Sequence, residues 1–425
     1  MLDLKAIRAN PAAMEERLKR RDPSLSLGNF PQLDAERRQI IQKVESLKHQ
    51  RNEASEQIAA LKRARQADEA QQLIAQMGQI AAQIKELDAE LSQTDSAIGQ
   101  LLSRLPNPPH DSVPVSYDKA DKVVIREYGQ KPQLDFAYLN HVELGKRLKM
   151  LDFERAARIA GARFALYKGL GARLEMALIQ FMFQYQITQN GYTPILPPHL
   201  GNRQSFYTSS QLPKFAEDDY YVERDDLYLN PTAEVMLCNL HRGEILEAEE
   251  LPINYVAYTA CFRREAGAAG GEERGLIRMH QFNKVELFKF VHPKDSYQEL
   301  ENLVQDAEDI LQALQLHYRV VLLPTGDLGF QASKTYDLEV WLPSQGRYYE
   351  VSSCSNCEAF QGRRGEIRYR PAPGAKPEFV HTLNGSGLAT SRLFAAILEN
   401  NQRPDGSVVV PAVLHDGVGT DVIAG

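Results

Sequence analysis

The stretch of this sequence richest in potential chemistry is Phe262-Arg-Arg-Glu265, followed after a Gly/Ala-rich segment by Arg278-Met-His-Gln-Phe-Asn-Lys-Val-Glu286. Two apolar strands flank Ala266–Gly275, which predicts a β-hairpin with a long tip. On a strand Arg263 and Glu265 share a face. Alone, such a pair is a surface ion pair of little worth. Phe282, Glu286 and the later Arg392 make it harder to dismiss. Neither G-x-x-x-x-G-K-[ST] nor a G-x-G-x-x-G after a strand is present. If the chain uses ATP, it does so on a sheet built differently from those folds. Cys354-Ser-Asn-Cys357 has the spacing of a zinc knuckle or a redox pair, but a second C-x2-C is missing, which favours structural thiols. Thr232 and Glu234 read as the N-cap and first-turn acid of a helix over Ala233–Leu240. His199 and His280 read as packing or hydrogen-bonding residues. The tyrosines Tyr220, Tyr221, Tyr228, Tyr255 and Tyr258 read as core.

These residues need elements to hold them, and the sequence divides sharply. Leu33, Arg37, Ile40, Val44, Leu47, Arg51, Ala54, Ile58 and Leu61 recur at spacings of three and four. Leu73, Met77, Ile80, Ile84, Leu87, Leu91, Thr94, Ile98, Leu101 and Leu105 keep the same rhythm. Both are heptad seams without proline. With Lys62–Gln72 as the reversal, they predict an antiparallel helical hairpin projecting on the order of 40 Å at ~1.5 Å per residue. Pro106-Asn-Pro-Pro109 and Pro114 end it. Beyond them, helices are expected at Ala172–Ile187 and Tyr297–Leu316. Strands are expected at Tyr192–Leu196, Leu227–Leu229, Tyr255–Phe262, His280–Phe290, Arg319–Leu323, Asp337–Trp341 and Tyr348–Ser352. Strands arrive in clusters, so the fold class is α+β: a coiled-coil arm plus a mostly antiparallel sheet flanked by helices. The expected domains are 1–110 and 111–425.

The 425 residues are 43% hydrophobic and 25% charged, a globular composition in which two domains are natural. No apolar run approaches the roughly 20 residues of a membrane span, and the opening MLDLKAIRANP lacks a secretory h-region. A cytoplasmic protein is expected. The net charge is −7, but residues 1–105 hold 16 Lys/Arg against 15 Asp/Glu and the rest 33 against 41. Gln32–Arg65 has eight basic against five acidic residues, and Gln66–Leu105 two against six. Contact with a polyanion should therefore be local, along a stripe on the first arm helix. A solvated or dimerising coil is the simpler reading of that charge.

Taken in order, the motifs resemble the seryl-tRNA synthetases, a class II aminoacyl-tRNA synthetase family of bacterial type. F-R-x-E, a loop and R-x-H-Q-F-x-K-V-E resemble motif 2. Gly191-Tyr-Thr-Pro-Ile-Leu-Pro-Pro198 resembles motif 1, and Leu383-Asn-Gly-Ser-Gly-Leu-Ala389 with Arg392 resembles motif 3. Pro231-Thr-Ala-Glu234 resembles the serine-binding T-A-E. Glu350-Val-Ser-Ser-Cys-Ser-Asn-Cys357 is similar to the E-[IV]-S-S-C-S-N-C signature. The arm and the opening segment match too, so the resemblance spans nearly the whole chain.

The resemblance implies a serine–tRNA ligase that forms seryl-adenylate from L-serine and ATP, then loads tRNA(Ser), with tRNA(Sec) a further candidate. Arg263, Arg392 and Glu350 are the implied catalytic residues. Thr232, Ala233, Glu234, Arg263, Glu286, Asn384 and Ser386 would bind serine, Glu286 testing its hydroxyl and Thr232 and Glu234 facing its ammonium. Arg263, Arg264, Glu265, Arg278, Met279, Phe282, Glu350, Val351, Ser352, Ser353 and Arg392 would bind ATP, with the base between Phe282 and Arg392 and its amino group read by Glu265. Glu350 and Ser353 would hold Mg²⁺. No zinc is expected. Arg38, Lys43, Lys48, Arg51, Lys62, Arg63 and Arg274 would meet tRNA, bound across both subunits of a homodimer built on motif 1. The alternatives are a non-catalytic RNA-binding or scaffold relative, and an aminoacyl ligase loading a carrier protein. Relatives of the latter kind lack the arm.

The sequence also departs from the family pattern. Glu272 and Glu273 stand where the family's motif 2 loop usually has Asp-Thr, and Ser391 replaces the glycine before Arg392. Thr208-Ser-Ser-Gln-Leu-Pro213 replaces Gly-Thr-Gly-Gln-Leu-Pro, and Ala359 replaces an acid. The tail Pro411–Gly425 is atypical.

Overall fold

Proline at the first turn and acids at the start of the return helix delimit the hairpin. The structure, a computed structural model, describes residues 1–133, 135–266 and 275–425. Helix α1 (Phe30–Arg63) has Pro31 in its first turn, where a missing N–H costs nothing. Helix α2 (Ala67–Ser103) has Asp68 and Glu69 in its first turn, facing the positive end of the helix dipole. Every residue of the two heptad seams is buried or half-buried. The reversal is only Ala64–Gln66, shorter than the expected Lys62–Gln72, because those acids let α2 start early.

The remaining elements that matter to the site build one eight-stranded sheet and its helices. In chain order they are β1 (Val123–Tyr128), α3 (His141–Arg147), α4 (Leu170–Thr188), β2 (Thr193–Ile195), α5 (Glu234–Leu237), β3 (Ile253–Phe262), β4 (Gln281–Val291), α6 (Ser296–Ala313), β5 (Tyr318–Leu322), β6 (Lys334–Leu342), β7 (Arg347–Asn356), β8 (His381–Ala389) and α7 (Thr390–Asn400). The strand order is β1-β5-β6-β7-β8-β4-β3-β2. Every pairing is antiparallel except β2 with β3. The expected antiparallel α+β fold is therefore the one observed.

One face of the sheet packs on α4, α6 and α7 through Leu178, Met182, Leu303, Ala307, Phe394 and Ile397, all buried. β8 is not among the strands expected from sequence, because Leu383-Asn-Gly-Ser-Gly-Leu388 carries two glycines and an asparagine. Its glycines are there for close approach: a Cβ on Gly385 would lie 3.0 Å from Cys354 Sγ, and one on Gly387 3.1 Å from Leu287 Cγ.

The chain divides into two units: Leu4–Lys19 with Ser24–Leu105, and Met1–Asp3 with Arg20–Pro23 and Pro106–Gly425. Among the described residues no helix is long and apolar enough to cross a membrane.

Candidate active site

A cavity of about 690 Å³ opens on the face of the sheet opposite α4, α6 and α7, beside a second buried cluster that packs Ala233 and Leu237 on Phe288 and Phe290. The cavity wall contains Arg263, Glu265 and Arg278 from the β3–β4 hairpin, Thr232 before α5 and Glu234 at its start, and Glu286 of β4. Glu350 and Ser353 of β7 and Asn384 and Ser386 of β8 complete it. Residues more than 150 positions apart in sequence thus converge in one place.

Glu286 and Ser386 are cross-strand partners, so they share a face. Lys284, two residues before Glu286, shares it as well. Its Nζ lies 2.5 Å from Glu286 Oε2 and donates to Thr232 Oγ1 at 2.7 Å. Burial raises the Glu286 carboxyl above its usual range, and the lysine opposes that shift. Glu234 is closed off from solvent. Its Oε1 accepts from Gln361 Nε2 at 2.7 Å, Asn384 Nδ2 at 3.1 Å and Gln331 Nε2 at 3.2 Å. Burial first, and the charge of Glu286 second, raise it to about 7. Thr232 Oγ1 also accepts from Glu234 N at 3.2 Å. The N-cap is Ala233, however, and the helix is only Glu234–Leu237, so the expected Thr232 cap of a helix over Ala233–Leu240 is not formed, while Thr232 and Glu234 both line the cavity.

On β7 the spacing of Glu350 and Ser353 would put them on opposite faces of a regular strand. A β-bulge prevents this: Leu338 and Glu339 of β6 pair with Ser352 and Glu350, leaving Val351 as the extra residue. Val351 turns into the core. The buried Ser352 Oγ donates to Ser386 O at 2.6 Å.

Several residues expected at the site sit elsewhere. β3 ends at Phe262, so Arg263 and Glu265 do not share a strand face. Arg264 N instead donates to Asp218 O at 2.9 Å, and Glu265 adopts φ +52°. Both Arg263 and Glu265 still reach the cavity, but Arg264 points to solvent. Arg278 Nε holds Glu265 Oε2 at 2.6 Å. The guanidinium of Arg263 lies 5.1 Å from the centre of the Phe282 ring. Arg392 stands behind Glu350. It donates through Nη1 to Glu350 O at 2.7 Å, and the same nitrogen lies 3.6 Å from the carboxylate. Ala233 and Met279 are buried in the core. Arg274 lies outside the described residues.

The cavity also holds residues that carry little local signal in the sequence. Lys284 is readable from its alternation with Glu286. Asp219, Asp337, Lys122 and Gln331 are not, since loops and register bring them in. Burial, reinforced by Asp218, raises Asp219 to about 7. The loop bearing Gln331 is clamped by the buried Arg21, which donates to Gly329 O at 2.8 Å, Ala332 O at 3.0 Å and Leu328 O. All four cysteines are buried and unpaired, and burial pushes the Cys354 thiol up to about 12. Among the described residues no three His, Cys, Asp or Glu side chains form a metal-holding group.

In the arm, considered by itself, Lys43, Lys48, Lys62 and Arg63 are exposed. Arg38 Nε donates to Asp34 Oδ2 at 2.9 Å, and Arg51 lies half-buried on the seam.

Comparison with known proteins fits this arrangement. Residues 1–109 match the seryl-tRNA synthetase N-terminal domain, and 217–401 match the tRNA synthetase class II core domain (G, H, P, S and T). The serine–tRNA ligase of Thermoanaerobacter pseudethanolicus is 53% identical over 423 residues, covering 100% of both chains. That of Geobacillus kaustophilus is 55% identical over 437 residues, with 100% of both covered. The crystal structure of seryl-tRNA synthetase from Pyrococcus horikoshii complexed with ATP superposes with a TM-score of 0.93 at 38% identity, covering 100% of this chain and 99% of that one. Matched along its whole length in sequence and in fold, the chain belongs to the seryl-tRNA synthetase family of class II aminoacyl-tRNA synthetases.

Proposed function

We propose that the chain activates L-serine with ATP to seryl-adenylate and transfers the seryl group to the 3′ end of tRNA(Ser), with tRNA(Sec) a further candidate. One observation carries the reading: a single cavity joins a fixed arginine, Arg263, to a buried acid pair, Glu234 and Glu286, on one side and to Glu350 and Ser353 on the other. Activation brings the serine carboxylate against the α-phosphate, and Arg263 is the group that stabilises that meeting of anions. Positioning and charge suffice, so no side-chain nucleophile is needed. Glu234 and Thr232 face the substrate ammonium. Glu286 accepts the substrate hydroxyl, which alanine lacks, so alanine would leave a buried acceptor unpaired. Asn384 and Ser386 close the amino-acid side of the pocket.

Glu350 and Ser353 offer oxygen donors on one face of β7, the donor type that Mg²⁺ prefers. A cation there would take most of its other oxygens from phosphates and water. Bound, it would neutralise phosphate charge. Arg278 and Glu265, joined across the hairpin root, belong to the nucleotide side, as do Phe282 and Arg392. Lys43, Lys48, Lys62 and Arg63 are the arm residues best placed to meet tRNA phosphates. A homodimer built on α4 and β2 is part of the proposal. Support for it comes from Met176 and Leu196, which are 60% and 80% exposed on that helix and just past that edge strand. Cytoplasmic residence is inferred from the reaction.

Serine-dependent exchange of pyrophosphate into ATP by purified protein tests the reading, with threonine and alanine in parallel. Serine alone should support exchange, and Arg263→Ala should abolish it. Absence of exchange with serine would favour the scaffold alternative. Exchange without charging of a tRNA bearing a long variable arm would favour a carrier-protein ligase.

A further inference from the structure

Asp337 lies on β6 directly opposite Ser353 and faces the cavity. It is 4% exposed, and its Oδ1 is closed off from solvent with no hydrogen-bond partner. Its Oδ2 lies no nearer than 3.8 Å to Lys122 Nζ. That lysine is engaged elsewhere, 2.9 Å from Glu339 Oε1. Glu339 is fully served, because Arg319 Nη2 holds its other oxygen at 2.7 Å. Holding Lys122 therefore does not account for Asp337. The bulge at Val351 puts Glu350 and Ser353 on the same face as Asp337, across one strand boundary. Two carboxylates and a hydroxyl thus line one wall; the Ser353 hydroxyl interacts with the Asp337 carboxylate, whose Oδ1 keeps no hydrogen-bond partner. A buried carboxylate is tolerated when a cation meets it, and a hard divalent cation is satisfied by such oxygens.

We propose that Asp337 is a third protein oxygen ligand, beside Glu350 and Ser353, for a divalent cation that arrives with the nucleotide. The proposal rests on the reading of this cavity as an ATP site. Lys122 competes with that cation through its own charge: its ammonium, held by Glu339, lies 3.8 Å from Asp337 Oδ2 and repels a second cation there.

Calorimetric titration of the full-length protein with ATP, in EDTA and in saturating Mg²⁺, tests this without turnover. The unaltered protein should bind ATP more tightly with Mg²⁺. Asp337→Asn should lose about tenfold of that gain, the size of effect expected for an ordered metal-site partner. In EDTA it should bind ATP as well as the unaltered protein, because the amide keeps the shape of the carboxyl and removes only a ligand for the cation. An equal Mg²⁺-dependent gain in Asp337→Asn would overturn the proposal. An unaltered protein that binds no ATP would overturn the ATP reading and this proposal with it. Should Asp337→Asn fail to fold, Lys122→Met keeps the question open to measurement. Freed of its competitor, the site should show a severalfold larger Mg²⁺-dependent gain, and an unchanged or smaller one would count against Asp337 as a ligand.

Discussion

A carboxylate closed off from water holds its proton more tightly, and Glu234 is poised by that effect near neutrality. With its ordinary value raised to about 7, it is largely protonated at pH 6 and largely ionised at pH 8. The groups around it are Glu286, Lys284, Gln331, Gln361 and Asn384. On the proposed reading the serine ammonium pairs with the ionised form, so binding should tighten as pH rises through 7 and level off above it. The KM for serine in pyrophosphate exchange should fall about tenfold between pH 6 and 8, and Glu234→Gln should flatten that profile. Asp219, also raised to about 7, is the control: Asp219→Asn should leave the slope in place. A different residue-scale consequence attends Ser210. It stands where the family pattern has glycine and sits at φ +77°, with its buried hydroxyl unpartnered. An L-residue there costs ~1–2 kcal/mol, which the entropy of an added glycine offsets only in part. Ser210→Gly should therefore stabilise the protein by about 1 kcal/mol in urea denaturation, and a lower midpoint would sink that account.

At the scale of elements, one acid on α4 ties together two others. Glu175 Oε1 accepts from Asn283 Nδ2 of β4 at 2.8 Å and from Thr390 Oγ1 of α7 at 2.5 Å. Asn283 lies between Phe282 and Lys284, and Thr390 opens the helix that carries Arg392. Burial raises the Glu175 carboxyl, so a neutral amide is a fair replacement. Glu175→Gln should cost under about 1 kcal/mol, while Glu175→Ala, which strands both donors, should cost roughly 2–4 kcal/mol and raise the KM for ATP more than that for serine. Equal effects on both KM values would reduce Glu175 to packing. This junction also marks where the sequence stops being legible. The heptad seams are readable residue by residue, because a two-helix pair buries whatever recurs at three and four. Arg263, Glu286 and Glu350 are readable as a set only through motif order. The position of Asp337 is not, since a one-residue bulge at Val351 decides which β7 side chains share its face. β8 escapes a reading by pattern because its glycines serve close packing against Cys354 and Leu287, a demand made by neighbours far away in sequence.

The molecule as a whole divides into two compact units, and the proposed reading gives each its own task. α1 carries the exposed Lys43, Lys48, Lys62 and Arg63, whereas α2 is acidic, so the arm has a basic side. Part of the positive charge is already spent. Arg37 Nε lies 2.6 Å from Asp95 across the pair, and Arg38 pairs with Asp34. What remains suits backbone phosphates better than base edges, which gives shape recognition and a steep salt dependence. None of these lysines or arginines lines the cavity in which activation is proposed. Replacing residues 35–100 with a short turn should therefore leave serine-dependent exchange within about threefold and abolish charging. Reversing the charge of Lys43, Lys48 and Arg63 in the intact chain should raise the KM for tRNA. It should also flatten the salt dependence by up to ~0.9 log unit for each phosphate that is no longer neutralised. Exchange and charging measured side by side on both variants decide the matter. A parallel loss of the two activities would mean that the arm supports the catalytic unit itself, and the basic side of α1 would then be a solvated face.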